Sequence, residues 1–449
     1  MKKNFFLRSI AFLIFLLWIL NIFSVTSFAE DERFPDTSDA TAVLLYNINS
    51  DKLIFSKNSD QKIFPGSVAK MMCGMVFCEM FHDRLEDSVT ITNDMIKNAE
   101  GAKIKLAAGD IVTYKDLLYS VICGGGNDAC YALAVACAGS VREYVQIMND
   151  TASEWGLEDT FFTNPSGYDD ANMFTTASDV LALAQRSYQN TLYLEASSSL
   201  SYTIKPQNAD KEIKIFNRNS LISSYYASGY QNKHAYGLIA GFTDLGQYTA
   251  ITYLKKGETE FICAVLGAKE SADSKEILSY KYVNEISEYA FENYQFKKVF
   301  DANKYICTLD VDFALPQANE DRATVDCYSK SDVYALINPA ASVEDDIVFG
   351  YYLHSDHIEA PVQKDCVVGG VDIFYKGELI GSTKLIAGED IAENSILFTL
   401  NSMKKFFLGR LFIISIVFFV ILFTAYLFLK TNKRTKSPYK RKAKRKKTP

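Results

Sequence analysis

The chain lacks acidic residues at both ends: none precedes Glu30 and none follows Met403. Between those limits 54 acidic residues face 30 basic ones, a formal charge of about −24. Such a balance favours solubility and argues against nucleic acid as a partner. Histidine is scarce, with four in 449 residues. The closest pair, His354 and His357, is spaced so that the side chains diverge on a strand or loop, and no further ligands cluster nearby, so no metal and no cofactor are expected. Cysteine is present but odd in number, nine in all. Cys73, Cys78, Cys123, Cys130, Cys137 and Cys263 sit in apolar runs, as buried thiols do, and a disulfide framework is not expected. Internal repeats and low-complexity linkers are absent as well.

What is present divides the chain into pieces. Residues 1–29 carry Lys2, Lys3 and Arg8, an apolar run from Ile10 to Phe23, and the small residues Ser27 and Ala29, which predicts a signal peptide cleaved after Ala29 and export. Residues 411–429 contain no charge and match the hydrocarbon thickness of a bilayer as a helix, predicting one transmembrane segment. From Lys430 to Pro449 come eleven Lys or Arg residues and no acid. The positive-inside rule then places this basic tail, 430–449, in the cytoplasm, with everything before the helix outside the cell membrane and anionic lipid as the tail's nearest partner.

The exported part reads as two units. In the first, residues 30–296, alternation over 40–56 predicts a hairpin turning at Asn49-Ser50-Asp51. Helical periodicity covers 67–81, 114–123, 127–138, 140–155 and 176–188, with Thr113 and Thr176 as N-caps. Strands return at Gly237–Ala240, Tyr248–Leu254 and Glu260–Leu266, followed by a helix over 274–294. The fold class expected is α/β, a mixed sheet with a helical insert. In the second unit, residues 297–395, short alternating strands at Tyr305–Leu309, Ala323–Tyr328, Asp332–Leu336, Ile347–Leu353 and Gly370–Tyr375 predict a small all-β domain, read as a spacer or packing platform.

The segment richest in chemistry is Phe64-Pro65-Gly66-Ser67-Val68-Ala69-Lys70. Pro65 and Gly66 interrupt any preceding strand, and Ser67 stands at the start of an apolar helix in which Lys70 is the only charge between Ile63 and Cys78. Residues three apart share a helix face. A lysine among apolar neighbours loses hydration, its pKa falls, and its neutral amine can take the proton of a serine attacking a carbonyl. Ser67 and Lys70 are therefore the candidate nucleophile and general base.

Further segments follow in order: Leu117-Leu118, Gly126-Asn127-Asp128-Ala129, Met148-Asn149, Thr160-Phe-Phe-Thr-Asn164-Pro-Ser-Gly167-Tyr168 and Thr176-Ala177-Ser-Asp179. With the Ser67 segment they make residues 36 to about 395 resemble the low-molecular-mass penicillin-binding proteins that are serine D-Ala-D-Ala carboxypeptidases, including a penicillin-binding/β-lactamase-like transpeptidase domain and a small C-terminal β domain. The resemblance implies removal of the terminal D-Ala of peptidoglycan stem peptides through acyl-Ser67, binding of β-lactams if the site is active, and a substrate-contacting role for Asn127. Of the three motifs of that family, S-x-x-K is intact. The serine of the second falls on Gly125, and the lysine and threonine of the third fall on Ile239 and Ala240, ahead of Gly241. The backbone at Gly241 and Phe242, with that of Ser67, can still offer amides to an oxyanion. These departures leave two readings: a slow carboxypeptidase, or a catalytically silent, membrane-anchored wall-binding or scaffolding protein. A β-lactamase-like hydrolase fits less well, since it would lack the same motif residues and carry an extra β domain.

Overall fold

The computed structural model describes residues 34–315 and 323–434. The expected signal peptide and the part of the basic tail from 435 onward lie outside the described residues. Contacts separate two units, one running to Lys297 and including Leu336–Ala341, the other comprising Lys298–Ala335 and the chain from Ser342.

The first unit is built on a five-stranded sheet of β1 (Ala42–Asn47), β2 (Lys52–Lys57), β3 (Ala235–Thr243), β4 (Gln247–Lys256) and β5 (Thr259–Ala268), in the order β2-β1-β5-β4-β3. The mixed α/β class holds, while within the sheet every pair is antiparallel. Two tight turns join β3 to β4 and β4 to β5, the second at Gly257-Glu258, and such turns force neighbouring strands to run in opposite directions. All six residues of β1 are buried because both faces of the sheet are covered. Ala42, Leu44 and Tyr46 enter the core on one side, Val43 and Leu45 the core on the other. The second core is closed by the helix Leu278–Asn293, through Val283, Ile286 and Ala290.

The first core belongs to the helical insert: α1 (Val68–Met80), α2 (Tyr114–Ile122), α3 (Asn127–Ala138), α4 (Val141–Glu154), α5 (Ala177–Gln189) and α6 (Thr191–Ser198). α1 is buried on every side from Val68 to Cys78, so it is the axis of this layer. Full burial of Met71, Met72, Met75 and Phe77 contributes about 1.5–3 kcal/mol apiece. Thr113 caps α2 in a reciprocal capping box with Asp116, and Thr176 caps α5 through the amide of Asp179, both as expected from sequence. Sequence periodicity alone does not reveal α6 or the ribbon Ser201–Ile204/Ile213–Phe216. The serine run around 197–201 looks like loop, yet Asn190 caps α6 directly after α5 and tertiary packing of Tyr193 fixes it.

The second unit holds a six-stranded sheet. Its strands are β6 (Tyr305–Asp312), β7 (Thr324–Ser329), β8 (Ile347–Leu353), β9 (Ile358–Glu359), β10 (Val367–Tyr375) and β11 (Glu378–Ala387), ordered β8-β10-β11-β7-β6-β9. β11 is not foreseen from sequence. It returns from β10 through Lys376-Gly377, both with positive φ, a turn signal of the Asn-Gly type that lysine disguises. Near the end of the chain the helix Arg410–Arg434 contains Phe412–Lys430, 19 residues with mean hydropathy 2.8, long and apolar enough to cross a membrane.

Candidate active site

Ser67 sits at the N-cap of α1 with helical φ, and its hydroxyl caps nothing. A capping serine would spend its oxygen on the helix amides; this one is left for other chemistry. Lys70 follows one turn later on the same face, 7 % exposed, and its ammonium donates to the carbonyl of Ser166 at 2.5 Å. Burial pushes the Lys70 pKa below the ordinary lysine value, and the positive charge of Arg218 pushes it the same way. Cys130 and Cys73 lie beside it and would oppose this only as thiolates. Burial holds the Cys73 thiol well above its usual range, so it stays protonated. Lys70 is thus a buried lysine one turn from Ser67.

Ser166 belongs to a turn to which the sequence pattern alone assigns no role. Asn164 Oδ1 accepts from the amides of Ser166 and Gly167 and from the Ser166 hydroxyl, which fixes the direction of the Ser166 carbonyl. Gly167 has φ +73°, and a Cβ there would stand 1.7 Å from the carbonyl oxygen of Gly66. Only glycine allows this turn to press against the segment that carries Ser67.

The second motif lies at the start of α3. Asn127 is buried; its Nδ2 donates to the Glu100 carbonyl at 2.5 Å, and its Oδ1 meets no partner among the described residues. Asn127 and Lys70 are not hydrogen-bonded to each other: the lysine donates to Ser166 and the Asn127 amide to Glu100. Neighbouring Asp128 accepts from the amides of Ile104, Lys105 and Leu106, tying the segment after Glu100 to the helix start. Gly125 has φ +62°, and the space a Cβ would take there is met by Cγ of Arg218 at 2.9 Å.

The third motif lies on β3, the outer strand of the sheet. Gly241 lies directly against Ser67, since a Cβ there would be 2.2 Å from Ser67 Oγ. Ile239 and Ala240 are buried, the first in the helical core and the second in the core of the opposite face. Neither offers a hydrogen-bond donor from its side chain. Phe242 is about half exposed and its ring meets Tyr248 at 4.6 Å. Two lysines that could have stood in for a lysine at 239 are elsewhere: Lys255 is paired with Glu260 at 2.5 Å near the end of β4, and Lys233 is exposed in the segment before β3.

The structure thus brings together Ser67, Lys70 and Gly241, with Asn127 and Gly125 on the adjoining helix start. It also adds two groups that sequence reasoning misses, the Ser166 carbonyl and Arg218. The signal for Arg218 is the triplet Asn217-Arg218-Asn219, two asparagines that are buried and bonded around a single cation.

A serine and a buried lysine on a central apolar helix, set against the edge of an antiparallel sheet, define the penicillin-binding class of serine-acylating folds. Residues 28–270 match the family model described as D-alanyl-D-alanine carboxypeptidase, and residues 294–393 match the penicillin-binding protein 5 C-terminal domain. The chain belongs to the D-alanyl-D-alanine carboxypeptidase family. Among its relatives, the carboxypeptidase DacF of Bacillus subtilis is 24 % identical over 382 residues, covering 83 % of this chain and 92 % of that protein. DacA of Escherichia coli is 26 % identical over 369 residues, covering 80 % and 85 %. In fold, penicillin-binding protein 5 from Haemophilus influenzae matches with a TM-score of 0.58 at 24 % identity, covering 80 % of this chain and 99 % of that one.

Proposed function

We propose that this protein is a slow, peptidoglycan-processing member of its family, in which Ser67 is acylated by stem peptides ending in D-Ala-D-Ala. The observation that carries this reading is the buried Lys70, one turn from Ser67, with its ammonium held by Ser166 and its pKa lowered by burial. Burial makes the neutral amine easier to reach than for a free lysine, and in that form Lys70 can accept the Ser67 proton as Oγ attacks the carbonyl carbon of the scissile bond. The backbone amides of Ser67 and of the Gly241–Phe242 edge are the groups suited to the resulting oxyanion. D-Ala departs with a proton, and water then releases the shortened peptide from Ser67. At position 125 no hydroxyl relays that proton, and at 239 and 240 no side chain holds the substrate carboxylate. Each charge-assisted bond of that kind contributes about 1.5–3 kcal/mol, so the loss of two or three corresponds to several powers of ten in rate.

A second reading, a silent wall-binding protein, is favoured by those same positions and by the unpartnered Oδ1 of Asn127. Release of D-Ala from an N-acetylated tripeptide ending in D-Ala-D-Ala separates the two. The slow-enzyme reading expects release by the wild-type chain and none by Ser67→Ala; equal background from both supports the silent reading. In the same proposal the apolar helix at Phe412–Lys430 anchors the protein in the cell membrane, with the two units outside and the basic tail on anionic lipid.

A further inference from the structure

Six of the nine cysteines lie in the first unit and three, Cys307, Cys327 and Cys366, in the second, where the fold gathers them from distant parts of the chain. We propose that Cys307 and Cys327 form a redox site, a dithiol that closes to a cross-strand disulfide by exchange with a small-molecule disulfide such as oxidised glutathione. The site lies in the β unit and is independent of the chemistry at Ser67. The topology proposed above puts this unit outside the membrane, where disulfides persist.

The geometry is set by strand register. β6 and β7 run antiparallel, and Cys307 and Cys327 are direct partners across them, so both side chains leave the same face of the sheet. Residues opposed in this way stand about 4.5–5.5 Å apart at Cα, inside the roughly 4.4–6.8 Å that a disulfide spans. The two thiols interact, and Cys366 lies on the far side of Cys327: its carbonyl accepts from the amide of Ala387, the residue opposite Cys327 on β11. Cys327 is fully buried, whereas Cys307 is partly exposed. Burial raises both pKa values, that of Cys327 to about 12, but a hydrogen bond from the Tyr351 hydroxyl on β8 opposes the rise at Cys307. Exchange therefore begins at Cys307. Its sulfur attacks one sulfur of the reagent, breaking that S–S bond; the first reagent thiol leaves with the Cys307 proton and a mixed disulfide stays on Cys307. The Cys327 sulfur then attacks Cys307 Sγ, and the second reagent thiol leaves with the Cys327 proton. Two protein thiols are oxidised to one disulfide while the reagent disulfide is reduced to two thiols. Cys73 and Cys130 are also in contact, but both are fully buried in the helical core and closed to such a reagent. The new bond would pin β6, whose other edge pairs with the two residues of β9, to the centre of its sheet.

The test is thiol mapping on the full-length protein in detergent. The reduced protein is equilibrated with excess oxidised glutathione, unfolded in acid, blocked with N-ethylmaleimide, digested without reduction and read by mass spectrometry. Peptides holding Cys307 and Cys327 should be recovered joined, with the loss of two hydrogen atoms, while Cys73 and Cys130 carry maleimide. Cys327→Ala should stop the reaction at glutathione on Cys307, and Cys366→Ser should leave the Cys307–Cys327 bond as abundant as in the wild-type chain. Melting curves establish that these variants fold; should Cys327→Ala not fold, Cys307→Ser at the partly exposed position replaces it and should leave Cys327 as a free thiol. Maleimide on both Cys307 and Cys327 of the treated wild-type protein, glutathione on Cys307 with no onward bond, or a bond from either residue to Cys366 in place of their own would overturn the assignment.

Discussion

In the proposed mechanism, Lys70 concentrates the chemistry in one side chain. Because burial lowers its pKa, the neutral amine becomes available at lower pH than for a free lysine. The rate of Ser67 acylation by penicillin should therefore rise with pH to a plateau whose midpoint lies below about 10.4, the unperturbed lysine value. Stopped-time mass spectrometry across pH checks this, and a midpoint at or above that value would contradict it. The pair is legible in sequence because S-x-x-K spacing on an apolar helix is local information. Ser166 and Arg218 are not, because their roles come from chain crossings of 96 residues between Lys70 and Ser166 and 94 between Arg218 and Gly124. A further residue-scale consequence concerns Gly125→Ser, which restores the family's serine in name. Its φ of +62° and the neighbouring Arg218 Cγ make the change unfavourable by about 1–3 kcal/mol, seen as a lower melting temperature without faster acylation.

Two elements meet at the proposed nucleophile, Ser67: the start of α1 and the outer strand β3. The strand brings Gly241 against Ser67 Oγ, with Ile239 and Ala240 directly before it on the same strand. The irregularity between Tyr236 and Ile239, with positive φ at Gly237 and Leu238, leaves no mark in the sequence pattern. It places Leu238 and Ile239 in the same core despite their adjacency. The double change Ile239→Lys with Ala240→Thr should raise the penicillin acylation rate by roughly two powers of ten, the worth of one or two charge-assisted bonds. An unchanged rate in the folded variant would place the defect elsewhere. The turn that carries Ser166 makes an opposite prediction. Gly167→Ala forces a Cβ onto the Gly66 carbonyl at an unfavourable φ, and should lower stability by more than the roughly 1–3 kcal/mol of backbone strain alone while also slowing acylation. A melting curve and an acylation time course on one sample read both effects.

At the scale of the whole molecule, the buried lysine also links stability to pH. Its folded pKa is depressed, so between that value and the unfolded value the unfolded chain binds more protons, and stability contributed by this group rises with pH across that window. Denaturant unfolding of Lys70→Met should show a shallower rise over the alkaline side of neutrality. The broad organisation is readable from composition: an acidic middle, basic ends and two apolar runs, Ile10 to Phe23 and 411–429, need no long-range contacts to be seen. The small strands of the second unit are harder, because their pairing depends on turns such as Lys376-Gly377 and on residues far apart in the chain. Whether Ser67 is a working nucleophile despite the altered positions 125, 239 and 240 is decided by the intact mass of the full-length protein in detergent after long incubation with excess penicillin, beside Ser67→Ala. A slow gain of one penicillin mass is expected in the wild-type chain and none in the variant. An unshifted wild-type mass at high penicillin concentration would contradict a working Ser67.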